Sequence, residues 1–150
     1  MTDARDFKHL RLAQAVADIY SKDPSTKVGA VVLGEHVNQL AIGFNGLPPG
    51  LADDHRLQDR AWKYAHVRHA EANALSNAIG FQPVTLYVTH HPCQQCALAI
   101  LAARTVRRVV TCSPAGAFAE RWTDSTLAAR EIFNEAKIEI SLVHPECLKP

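Results

Sequence analysis

Four side chains in this 150-residue chain combine metal-binding or proton-moving types with close spacing, and they fall in two short clusters. His69 and Glu71 stand in H-A-E, and Cys93 and Cys96 stand in P-C-Q-Q-C. Zinc takes imidazole nitrogen and cysteine thiolates in a tetrahedron, and a catalytic site leaves the fourth position to water. Cysteines three apart at a helix start can reach one ion together, and the positive helix end favours thiolates. Zinc lowers the pKa of its water to roughly 7. Glu71, two residues from His69, can face that water without ligating the metal. Each cluster alone is weakly specific, because a CxxC also serves redox pairs and half-sites of structural zinc. Together, each at the first turn of an expected helix, they point to one Zn2+ per chain held by His69, Cys93 and Cys96. Glu71 is then the acid/base group. The competing arrangement is a closed structural site joining Cys93 and Cys96 to His144 and Cys147, since H-P-E-C also has ligand-like spacing.

These residues need elements to hold them. Apolar residues recur every three or four positions over 6–20, as on an amphipathic helix. Pro24 and its neighbours break that pattern. KVGAVVL (27–33) and QLAIGFN (39–45) read as two antiparallel strands joined by a turn. Residues 46–64 read as a long polar loop with a short helix, a length often associated with function. Residues 67–80 are expected to be helical, 84–89 a buried strand, and 93–104 an apolar helix. Strand 106–111 follows, then a loop over 113–122, a helix over 124–136 with an Asp/Ser start, and a last strand over 138–143. Strands separated by helices of this length imply parallel crossovers. The expected fold is α/β: a three-layer α/β/α sandwich around a mixed five-stranded sheet, in one domain over 1–150.

The net charge is +1 and 47% of residues are hydrophobic. That balance gives no basic track for a polynucleotide. No apolar run approaches the roughly 20 residues that span a bilayer. The first residues lack a signal-peptide core, so a cytoplasmic location is expected, where paired cysteines point to metal or redox chemistry rather than staples.

The two clusters match the signature of zinc nucleobase deaminases, in which the glutamate is the general acid/base. Over residues 21–140 the chain resembles the deoxycytidylate (dCMP) deaminase family. The matching stretches are SKDPSTKVGAVV, GFNGLPPG, KYAHVRHAEANAL, TLYVTHHPCQQCALAI and AAREIFNEAKIEI. The resemblance implies a cytidine deaminase-like fold and hydrolysis of dCMP to dUMP and ammonia by zinc-bound hydroxide attacking C4. It also implies a nucleotide-binding Asn45 and a homo-oligomer. Other nucleotides, nucleosides or bases are the alternative substrates, and a non-catalytic zinc-binding module is the alternative of a different class. The loop after GFNG offers His55 and no cysteine, so a second zinc is not expected. The stretch 113–122 has Phe118 and Trp122 but no tyrosine.

The candidate substrate contacts are Asn45, Lys27, Ala70, Pro92 and Trp122. Ala70 and Pro92 belong to the two motifs, and Trp122 is either a substrate lid or a packed aromatic. Lys27, Arg56, Arg60, Lys63 and Arg68 are cations that could meet a phosphate.

Overall fold

The computed structural model describes residues 2–148, without the side chains of Phe118, Trp122 and Cys147. Helix α1 (Ala4–Tyr20) precedes strands β1 (Gly29–Leu33) and β2 (Leu40–Phe44). A 3-10 turn (His55–Gln58) and α2 (Arg60–His66) occupy the expected long loop. Then follow α3 (Ala70–Asn77), β3 (Val84–Val88), α4 (Gln94–Ala103), β4 (Val106–Cys112), α5 (Gly116–Glu135) and β5 (Glu139–Val143).

The five strands form one sheet in the order β2-β1-β3-β4-β5. β1 pairs antiparallel with β2 and with β3, whereas β3, β4 and β5 are parallel. The mixed sheet expected from the pattern is thus present. Side chains alternate between the faces. Ala30, Val32, Leu86, Val88 and Val109 pack with Ala74 of α3, Ile100 of α4 and Phe133 of α5. Val31, Leu33, Tyr87 and Val110 pack with Leu10 and Ala13 of α1. Every position of β1 is buried, as a strand covered on both faces requires.

Helix α5 departs from the expectation. The stretch 113–122 is not wholly a loop, because the helix begins at Gly116. Between 117 and 135 there is no Pro or Gly, and Ala, Glu and Arg are strong helix formers. Asp124 and Ser125, which look like an N-cap, therefore lie inside the helix. Trp122 lies within the span of α5, but its side chain is outside the described residues.

Two glycines set close contacts between layers. A Cβ on Gly43 of β2 would collide with the backbone of α3 at Ala70 and Ala74, and one on Gly29 of β1 with the backbone of α1 at Ala13. Hydrogen at these positions lets each helix lie directly on its strand. Beyond the cores, Arg108 of β4 reaches Asp6 of α1 at 2.8 Å and Glu139 of β5 at 2.9 Å, tying α1 to the far edge of the sheet.

Candidate active site

His69 and Cys93 are the residues immediately before α3 and α4, each with extended backbone at the N-cap. Neither helix has a side-chain cap from its own N-cap residue. The imidazole and the thiol are therefore free to turn toward each other. His69 Nδ1 lies 3.1 Å from Cys96 Sγ and 3.5 Å from Cys93 Sγ. The ligand atoms of His69, Cys93 and Cys96 all lie within 4.8 Å of one another, and no other such cluster occurs among the described residues. His144 is not in it, and the Cys147 side chain lies outside the described residues.

These donors fit one zinc ion. They are two sulfurs and a ring nitrogen, gathered from two helix tips, with a fourth tetrahedral position not taken by any described histidine, cysteine or carboxylate in the cluster. The electrostatics agree. A hydrogen bond from Cys96 holds the Cys93 thiol well below its ordinary pKa, and the bond to His69 adds to this. The same contact pushes Cys96 up, helped by burial. His69 is pushed up chiefly by its bond to Cys93. The three donors thus lie within hydrogen-bonding reach of one another, and a divalent cation would displace the protons they hold.

Glu71 lies in the first turn of α3 and is 4% exposed. Burial pushes its carboxyl above the ordinary glutamate value, more than the nearby His69 lowers it. A carboxylate so placed takes up a proton more readily than one in water.

The three donors and Glu71 lie at the cleft lined also by Asn45, Lys63, Tyr64, Ala70, His90, His91 and Arg121. Asn45 reaches it because Gly46 and Arg68 form a reciprocal pair of backbone hydrogen bonds at 3.1 and 3.0 Å. The Asn45 side chain is already engaged. Its Oδ1 accepts from the Val28 amide at 2.8 Å and from Ser21 Oγ at 2.7 Å, and its Nδ2 donates to the Thr26 carbonyl at 2.8 Å. It clamps the segment 21–28 along the cleft, with one amide hydrogen left over from these bonds.

Ala70 lines the cleft and is fully buried. Pro92 is buried and accepts a hydrogen bond from His91 at 2.9 Å through its carbonyl, but it is not part of the lining. Lys27 is exposed and also absent from the lining. Lys63 does line it, yet its ammonium is spent on Asp23 and Ser25, each at 3.0 Å. His90 and His91 are held below the ordinary histidine value by burial. Arg121 was not among the cations that the sequence suggested, because its segment reads as a loop rather than as a helix facing the cleft.

The chain matches the family described as "Cytidine and deoxycytidylate deaminase zinc-binding region" over residues 3–113. It is 32% identical over 143 residues to an uncharacterized deaminase of Aliivibrio fischeri, covering 95% of each chain. It is 33% identical over 139 residues to the deoxycytidylate deaminase of Homo sapiens, covering 86% of this chain and 74% of that one. The fold is shared with the dCMP deaminase of cyanophage S-TIM5 solved in complex with dCMP and dUMP. That likeness has a TM-score of 0.72 at 23% identity and covers 95% of this chain and 99% of the other.

Fold, donor set and relatives together define a zinc-binding hydrolytic deaminase. The chain belongs to the cytidine and deoxycytidylate deaminase family.

Proposed function

We propose that this chain hydrolyses dCMP to dUMP and ammonia, with His69, Cys93 and Cys96 holding one zinc and Glu71 as the catalytic acid/base. The observation that carries the reading is the buried Glu71 carboxyl beside a three-donor metal cluster. A purely structural metal site has no use for a carboxyl whose proton affinity is raised in this way. The 33% identical human relative is a deoxycytidylate deaminase, which favours dCMP among amino-bearing rings.

Zinc, when bound, supplies a Lewis acid that makes water a nucleophile near neutral pH. The chain's own groups do the rest. Glu71 takes the proton of the water and passes it to the ring nitrogen. It then takes the second proton, from the hydroxyl now carried by C4, and delivers it to the amine. The C4–N bond breaks, C4 keeps the oxygen as a carbonyl, and one ammonia departs for the one water that entered. Ala70, with its side chain fully buried in the cleft wall, gives the ring a flat apolar neighbour. Asn45 keeps the segment 21–28 in place and offers its remaining amide hydrogen to substrate.

A cytoplasmic location is supported by Cys93 and Cys96, which stand as thiols rather than as a disulfide, a state that a reducing compartment preserves. Self-association is supported by the exposed Leu98 and Leu101 on α4 and Leu127 on the adjoining α5. No described helix is long and apolar enough to cross a membrane.

The test is ammonia release from zinc-loaded protein given dCMP, CMP, cytidine and guanine in parallel. The expected result is the highest kcat/KM with dCMP. Release from another compound and none from dCMP overturns the substrate assignment.

A further inference from the structure

We propose that Arg121 recognises the 5′-phosphate of the substrate and makes this deaminase select a nucleoside monophosphate over the bare nucleoside. The inference rests on the proposed deaminase reading of the cleft and adds the residue that sets its substrate class.

The argument is one of charge. A nucleotide brings a phosphate dianion into a cleft whose inner wall holds the buried carboxyl of Glu71 beside the metal donors. Like charges repel, so the phosphate belongs at the mouth, against a cation. The cations suggested by the sequence are already engaged or face elsewhere. Lys63 is 2% exposed and ion-paired with Asp23. Arg56 is paired with Asp54 at 2.9 Å and lies over the Trp62 ring. Arg60 lies over the Tyr64 ring, and Arg68 donates to Ser76 at 3.1 Å. Lys27 does not line the cleft.

Arg121 differs from all of these. It lines the cleft, is exposed, and makes no ion pair or hydrogen bond among the described residues. It projects from the second turn of α5, a 20-residue helix anchored in the core by Ala129 and Phe133. The guanidinium is thus carried on a firm element, and its planar fork suits phosphate oxygens.

The experiment measures kcat/KM of zinc-loaded wild type, R121A, R121K and R121E for matched monophosphate and nucleoside pairs. The pairs are dCMP with deoxycytidine, CMP with cytidine, and GMP with guanosine. For whichever base is deaminated, the monophosphate-to-nucleoside ratio is expected to fall roughly tenfold or more in R121A. It falls further in R121E and is largely kept in R121K. A ratio that moves by less than about twofold in both R121A and R121E overturns the role of Arg121. A preference for nucleoside or free base in the wild type overturns it as well. If dCMP is inert but another monophosphate is deaminated with this dependence on residue 121, the dCMP assignment fails and the phosphate inference stands. Because the Arg121 side chain is solvent-facing, circular dichroism of each variant should match wild type, so a changed ratio reads recognition rather than folding.

Discussion

The amide nitrogen of Gln94, the first residue of α4, donates to Ser125 Oγ on α5 at 2.9 Å. Cys93 immediately precedes that amide and supplies no cap of its own. A side chain 31 residues away thus satisfies a free amide of the helix that carries both thiols, and leaves the Cys93 sulfur available to a metal.

Removing that hydroxyl should be felt at the metal. S125A is expected to cost about 1 kcal/mol of stability, as loss of a helix cap does. It should also weaken zinc retention in a competition with a chelator, because the Cys93 turn loses its anchor. S125T should restore both. Unchanged zinc affinity in a destabilised S125A would confine the residue to stability.

E71Q separates catalysis from metal binding. Turnover should drop by roughly 100-fold or more, the scale of general acid–base catalysis. Zinc content should stay at one per chain. Stability should hold or rise, since an amide is less costly to bury than a carboxylate. Ammonia assay, metal analysis and thermal melts on one preparation decide it, and metal loss in E71Q would recast Glu71 as part of the binding site.

G43A and G29A provide a matched pair. Both add a methyl group where a helix backbone stands, and each should cost about 1–3 kcal/mol by overpacking. Only G43A pushes on α3, which follows His69 and carries Glu71. G43A should therefore lower activity beyond its effect on the folded fraction. G29A, pushing on α1, should lower stability alone. Equal specific activity in the two folded variants would contradict this.

Asp6 gives a pH dependence. Its burial raises the carboxyl pKa, but the bonds with Arg108 and the Asp3 backbone outweigh this and hold it below the ordinary 3.8. A carboxyl with a lower pKa folded than unfolded stabilises fully above the unfolded value. That contribution fades as pH falls through the folded one. Wild type should lose stability below about pH 3.8 through this pair. D6N should be less stable at neutral pH by about 2 kcal/mol and show a shallower acid limb. Denaturant melts from pH 2 to pH 7 test it, and parallel acid limbs would remove Asp6 from the account.

Much of this was legible in the residues themselves. The apolar, β-branched run 27–33 and the run 39–45, joined by a short polar turn, read as a hairpin because such runs suit neighbouring strands. The helix–strand rhythm after residue 67 forces parallel crossovers. His, Glu and paired Cys at helix starts name their chemistry by type and spacing, since few side chains bind zinc and a carboxyl beside them is suited to moving protons.

Other features depended on distance. Ser125 reads as a cap of its own helix, and only the fold shows it capping α4. Lys63 reads as a free cation, but burial against Asp23 neutralises it. Asn45 reads as a candidate substrate contact, and only the fold shows that three side-chain bonds already use it to clamp the segment 21–28. Arg121 carries no local signal at all. Local sequence determines periodicity and chemical type because those are properties of neighbouring residues. Which charges are paired, which caps are borrowed and which cation remains free at the cleft are decided by contacts between residues far apart in the chain, and those exist only once the layers have packed.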